Sequence, residues 1–306
     1  MTWARLAFRL HRSSIGFAAL VCLGLTALAA WLTLSLPSML AACEAPTASH
    51  DCGVISLFGS PLGDTALMFN LGIGVATYAM PLVLGVPIVT TEIEQRTAMI
   101  SWPLARSRLK WLAWRAGSVL VIGLVLIGLM AAAAEALAHA NDPGSDLGFA
   151  SHGVRGISLV LRSTLMLVVA VAVGAVVGRL LPALLLGIAL AVGLSFAVEL
   201  PLPYAVASTE LTPSEMSGHP FTTGHAYRAP DGTPISDEEA EAMSMAAFQE
   251  YSPELPPDSV LPIDVSHGIA GSRYIEVLAR ESAVLIGATV LAGSVAAVVV
   301  ARRRPE

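Results

Sequence analysis

The sequence predicts an all-α integral membrane protein: a six-transmembrane-helix bundle with a short helix on its cytoplasmic side and a long outer loop. Three observations predict it. First, 55% of the 306 residues are hydrophobic, 13% are charged, and the mean hydropathy is +0.71. A soluble domain carries about 25% charged residues, so this chain cannot cover its apolar surface with polar groups. Second, six uncharged runs occupy residues 13–43, 65–91, 116–134, 163–178, 180–198 and 282–301. A helix needs about 20 residues to cross roughly 30 Å of hydrocarbon, and five of these runs meet or nearly meet that length. Third, the positive charges segregate. Arg5, Arg9, Arg12, Arg96, Arg106, Arg108, Lys110, Arg115, Arg179 and Arg302–Arg304 fall on one side, against Arg155, Arg162, Arg228, Arg273 and Arg280 on the other. The positive-inside rule makes the first side cytoplasmic, with both termini on it, in a multi-pass protein of the cell membrane.

The elements follow in order. Residues 1–12 form a basic cytoplasmic or interfacial start with Trp3 and Phe8. The first run is long and lacks a suitably placed small-residue cleavage site, which predicts a retained helix rather than a signal peptide. Cys43 and Cys52 lie in the outer loop that follows, where an oxidising compartment favours a disulfide closing a small loop, with two free thiols as the alternative. Cys22, mid-helix, reads as a small packing residue. Pro81 and Pro87 in the second run predict kinks.

Residues 91–115 carry five Arg/Lys against two Glu. Thr91 and Glu94 have capping-box spacing, and Ile93, Thr97, Ile100 and Leu104 fall on one stripe. The pattern predicts an amphipathic helix starting at Thr91 and broken by Pro103, a docking element. A charged loop that merely fixes topology has the same composition.

The third run ends near Glu135. The fourth is short, and it spans if its helix begins near Gly156 and Arg162 snorkels to the outer face. A tight turn at residues 178–182 leads to the fifth, and Gly174, Ala175, Gly178, Gly187, Ala191 and Gly193 favour close helix packing. Residues 204–279 hold twelve Asp/Glu against Arg228 and Arg273. They read as a loop-rich acidic outer subdomain with one short helix, capped by Ser236 and Glu239. The chain thus divides into residues 1–12, then 13–203 with the first five spans and the segment 91–115, then 204–279, then 280–306 with the sixth span and a basic tail.

Several function classes are disfavoured. Lys110 is the only lysine and is preceded by Arg-Leu, so no G-x-x-x-x-G-K-[ST] phosphate loop exists and the chain is not expected to be an ATPase by that route. No H-E-x-x-H or G-x-S-x-G occurs, so no catalytic residues, metal ligands or cofactor are assigned. The uncharged runs hold no paired Asp, Glu or His for a proton relay, which disfavours ion-driven transport. No basic aromatic patch points to nucleic acid.

Glu92-Ile93-Glu94-Gln95-Arg96-Thr97, Ser101-Trp102-Pro103-Leu104-Ala105-Arg106-Ser107-Arg108 and Trp111 carry a resemblance, with a weaker match at Arg273-Tyr274-Ile275-Glu276 and Arg280-Glu281. The arrangement resembles the permease subunit of type-2 ABC exporters, particularly the actinobacterial branch. The resemblance implies a coupling helix between the second and third spans, with Glu92, Glu94, Arg96 and Thr97 in it. Pro103, Arg106 and Arg108 would form the turn into the third span. It also implies a separate ABC ATPase subunit, a second permease chain as homodimer or heterodimer, and export of a small amphiphilic or hydrophobic compound across the bilayer. The alternative is a membrane anchor or sensor component of an ATPase complex that transports nothing.

Overall fold

A computed structural model of the chain describes residues 12–43, 61–95, 107–141, 147–199, 206–216, 218–249 and 262–303. Two compact units emerge. The first comprises Met1–Pro143, Ser151–Pro203 and Leu278–Glu306; the second comprises Gly144–Ala150 and Tyr204–Val277.

The first unit is a helix bundle. Its elements are α1 (Arg12–Cys43), α2 (Pro61–Gly85), α3 (Pro87–Glu94), α4 (Arg108–Asn141), α5 (Gly156–Val177), α6 (Leu180–Glu199) and α9 (Tyr274–Arg302), whose first turn belongs to the second unit. Six helical stretches among the described residues are long and apolar enough to cross a membrane, α2 and α3 together making one of them. The apolar side chains that face outward, such as Leu34, Val75 and Leu291, are what a hydrocarbon solvent requires.

Pro87 does not end the second span. Val86 keeps right-handed helical angles (φ −58, ψ −46), and its amide still reaches the Leu82 carbonyl at 3.1 Å. The regular helix is interrupted only at Val86, where Pro87 lacks a donor, and then continues through Glu94. Pro81 sits inside α2 without interrupting it. The α2–α5 contact is tight. A Cβ on Gly85 would lie 2.7 Å from the Ala170 Cβ, and one on Gly174 would lie 2.8 Å from the Val86 carbonyl oxygen. Of the small residues predicted to favour close packing, Gly174 does so here and Gly187 does so against Leu82, whereas a Cβ on Gly193 would meet nothing within 4 Å. Cys22 is buried among the core residues of the bundle, as read from the sequence.

The fourth span begins at Gly156 as expected, but Arg162 does not snorkel. Its guanidinium is 3% exposed and its Nε donates to Glu281 Oε1 at 2.8 Å. An Arg with a buried carboxylate one helix away gains more from that partner than from reaching for water. The sixth helix starts well before the uncharged run. It thereby carries Glu281 inside, fully buried, so the span holds an ionisable group that the uncharged run of residues 282–301 did not include.

The second unit adds strands to the loop-rich subdomain read from the sequence. Strands β1 (Thr209–Glu210), β2 (Phe221–Arg228), β3 (Pro234–Ile235) and β4 (Ile263–Ile269) form an antiparallel sheet in the order β1-β4-β2-β3, with a register shift between Thr222 and Gly224. Helices α7 (Pro213–Met216) and α8 (Asp237–Gln249) complete it. Its apolar centre is Phe149, Val206, Ile269 and Val277 with Phe221 and Tyr274. Phe149 meets both other rings edge-on, at centroid distances of 5.9 and 5.4 Å.

The capping box before α8 is present. The Glu239 amide donates to Ser236 Oγ at 3.3 Å, and the Ser236 amide donates to Glu239 Oε2 at 2.9 Å. Cys52 lies outside the described residues, as does the side chain of Cys43.

Candidate functional site

Of the residues singled out in segment 91–115, the described ones lie where α3 stops and α4 starts. Thr91 does not cap a helix there. Its hydroxyl donates back to the Pro87 carbonyl at 2.6 Å, four residues earlier, and the Gln95 amide takes the Thr91 carbonyl. Thr91–Glu94 is the last turn of α3, so the Glu94 amide is an interior helical donor with no need of a cap. The predicted helix start at Thr91 is therefore a helix end. Arg96, Thr97, Pro103 and Arg106 lie outside the described residues, as does the rest of the proposed stripe beyond Ile93.

Glu92, Glu94 and Arg108 are described, and each ties its helix to another. Glu92 forms an ion pair with Arg115 on α4. Both side chains are about nine-tenths buried, at 10% exposed for Arg115 and 9% for Glu92. The Arg115 guanidinium also lies over Trp111, 5.5 Å from the ring centroid. Glu94 Oε2 accepts the backbone amide of Leu180, 3.2 Å away, at the first residue of α6. A carboxylate on the free amides of a helix start satisfies an orphan donor and meets the positive end of the helix dipole.

α4 itself starts on a side-chain cap, with Ser107 Oγ accepting the Lys110 amide at 3.0 Å. Arg108 Nη1 donates to the carbonyls of Ala301 (3.3 Å) and Arg303 (2.6 Å) at the end of α9. Arg303 in turn donates to the carbonyls of Ala175 (2.5 Å) and Val176 (3.2 Å) at the end of α5. These are the cationic counterparts of the Glu94 contact, since helix C-termini leave carbonyls unpaired and carry negative partial charge.

Gly178 makes room for Arg303. It ends α5 in the left-handed region (φ +71), and a Cβ on it would run into the Arg303 guanidinium. Gly178 and Arg179 then connect α5 to α6 directly.

The contacts close on themselves: α3 to α4 through Glu92–Arg115, α4 to α9 through Arg108, α9 to α5 through Arg303, and α6 back to α3 through Glu94. Sequence reasoning singled out Glu92, Glu94 and Arg108 for docking rather than for these contacts, and it did not single out Arg115 or Arg303. The signal for Arg303 was the Arg302–Arg304 run, which reads equally well as a simple charge stop. For Arg115, it was a lone Arg at the edge of an apolar run, close in sequence to two Glu.

A helical membrane bundle whose basic end is tied into a ring suits a transport or anchoring component. The family model described as "ABC-2 membrane transporter related" matches residues 16–202, more than half of the chain. The chain belongs to that family and is a permease-type component of an ABC transporter. The matched stretch spans α1 to α6 and ends before the strands and α9. No curated protein and no solved structure matches the chain.

Proposed function

We propose that this chain is the membrane-spanning subunit of an ATP-driven exporter, energised by a separate ATPase that docks at the ringed end of the bundle. That end is the cytoplasmic one, because it gathers Arg108, Lys110, Arg115, Arg179, Arg302 and Arg303. The ATPase engages segment 91–115, whose docking face includes Arg96, Thr97, Pro103 and Arg106. The cargo is a small amphiphilic or hydrophobic compound, in keeping with apolar spans rich in small residues. A second permease chain completes the transporter.

The observation that carries this reading is the pairing of the last turn of α3 with two other helices. Glu92 holds α4 and Glu94 holds the start of α6, so displacing the turn moves both. A partner that closes on ATP would shift the bundle by no more than its differential contact energy with the two states.

The test is purification of the tagged full-length chain in mild detergent from its own host, beside Glu94→Arg. A co-purifying P-loop ATPase that is lost or reduced in the variant is the expected result. Absence of any ATPase under conditions that keep other transporters intact would overturn the reading and leave the anchor alternative. Full ATPase retention by Glu94→Arg would remove Glu94 from the docking role alone.

A further inference from the structure

The first unit holds a second buried ionic cluster that the ring does not include. Glu281 on α9 is wholly buried, and its Oε1 accepts from Ser158 Oγ at 2.7 Å and Arg162 Nε at 2.8 Å, both on α5. Its Oε2 lies 3.4 Å from His152 Nε2, and that same nitrogen lies 3.3 Å from Arg162 Nη2. Nε2 thus stands between a guanidinium, which can only donate, and a carboxylate, which can only accept; in the neutral ring with its proton on Nδ1, Nε2 accepts from Arg162.

The turn that carries His152 is shaped around the arginine. Ser151, Gly153 and Gly156 have φ of 53, 83 and 57, and a Cβ on Gly153 would collide with the Arg162 guanidinium, its Cζ lying 2.6 Å away. On the far side of the turn, Arg155 pairs with Glu135 on α4 at 2.7 Å, and His139 stands 3.6 Å from the same carboxylate.

We propose that His152 is a proton-binding site that governs a clasp between α5 and α9: a proton on Nε2 loosens the clasp, and its loss closes it. The groups facing the imidazole are Arg162 on α5, Glu281 on α9 and Arg155 in the turn, with Glu135 and His139 of α4 behind Arg155. Protonation converts Nε2 from acceptor to donor and so ends its bond with Arg162. It also puts a third cation beside Arg162 and Arg155 in a buried site, where the one acceptor facing Nε2 is Glu281 Oε2 of a carboxylate whose Oε1 already holds Arg162.

Burial holds the imidazole below its ordinary value of 6.5. Glu281 pulls the other way, while Arg162 and Arg155 add to the lowering. The sign follows. A group whose affinity for the proton is weaker in the closed form favours that form fully above about pH 6.5, and the preference is lost as pH falls toward the lower, closed-state value.

The test is hydrogen–deuterium exchange of the full-length protein in lipid nanodiscs from about pH 8 to about pH 5, compared at each pH with His152→Gln so that intrinsic rates cancel. Residues 156–163 and 278–285 should exchange alike in both proteins near pH 8. They should exchange faster in the wild type near pH 5, by up to about tenfold for each unit by which the site weakens proton binding. Equal exchange throughout, or greater wild-type protection in acid, overturns the proposal. The wild type decides alone as well. Exchange over 278–285 relative to α6, which contributes nothing to the cluster, must rise as pH falls, and a constant ratio sinks the idea.

Discussion

The two polar assemblies of the helical unit use charge in different ways. The ring at the basic end spends most of its charged groups on backbone: Glu94 on a helix start, Arg108 and Arg303 on helix ends. The clasp joins side chain to side chain, with Glu281 wholly buried and Arg162 nearly so. A helix terminus offers several equivalent carbonyls or amides, so a ring contact can slip by a residue and still be satisfied. A buried carboxylate has no substitute for its arginine. The ring is thus suited to hold helix ends through movement, and the clasp to be made or broken.

The largest expected effect lies in the clasp. Glu281→Ala leaves Arg162 buried without its carboxylate and should lower stability by about 3–5 kcal/mol, read as thermal unfolding in detergent. Adding Arg162→Met should recover much of the loss, because removing both charges costs far less than removing one. If the double variant is no better than the single, the pair is not the buried unit described here. Glu92→Ala, the ring's own buried pair, should cost about 2–4 kcal/mol, somewhat less because water reaches the edge of that site.

Arg303→Ala removes two hydrogen bonds from a charged donor and should cost about 1–2 kcal/mol. Gly178→Ala strains the left-handed turn by about 1 kcal/mol and also displaces Arg303. The two changes share a contact, so the double variant should cost less than their sum. Strict additivity would separate Gly178 from the Arg303 contact.

The smallest effect is expected in the second unit, where the charged contacts are solvated. Glu215 is held below its ordinary 4.5 by the Thr212 amide and then its hydroxyl. Glu239 is lowered in the same way by Ser236, and Asp231 is lowered from 3.8 by the Thr233 hydroxyl and then its amide. Depressed carboxylates contribute above their ordinary values and lose that contribution as pH falls through the lower folded ones. The α8 cap should therefore outlast the clasp as pH falls, since its carboxylates stay ionised below the range in which His152 begins to take up its proton. Exchange at residues 237–241 over the same pH series checks the order.

The spans were legible because length and hydropathy leave a membrane helix few alternatives. Gly156 as a start was legible from the same arithmetic. Glu281 was not, because a span defined as an uncharged run begins only after its last charge, and the partner that makes such a charge tolerable is more than a hundred residues away. The two capping-box patterns show the limit of a local motif. Ser236 follows the turn at Asp231–Gly232 and does start a helix. Thr91 has the same spacing to its Glu, but apolar helical residues precede it, so the hydroxyl folds back on Pro87. The sheet was hidden because its strands are short and polar, and β2 changes register at Thr222/Gly224, which erases a clean period of two. Three of the seven docking residues expected from the resemblance fall within the described chain, and all three make helix-to-helix contacts.

The ring is a closed circuit of four non-covalent links and one peptide connection, and a circuit behaves differently from a line. Cutting a line once separates its ends, whereas cutting a circuit once leaves every member connected by the other route. Any single link can therefore open and re-form while the five helix ends stay in one connected set, and two simultaneous openings are needed to split them. Redundancy of this kind allows a displacement at α3 to reach α5 by two routes, through α4 and α9 or through α6.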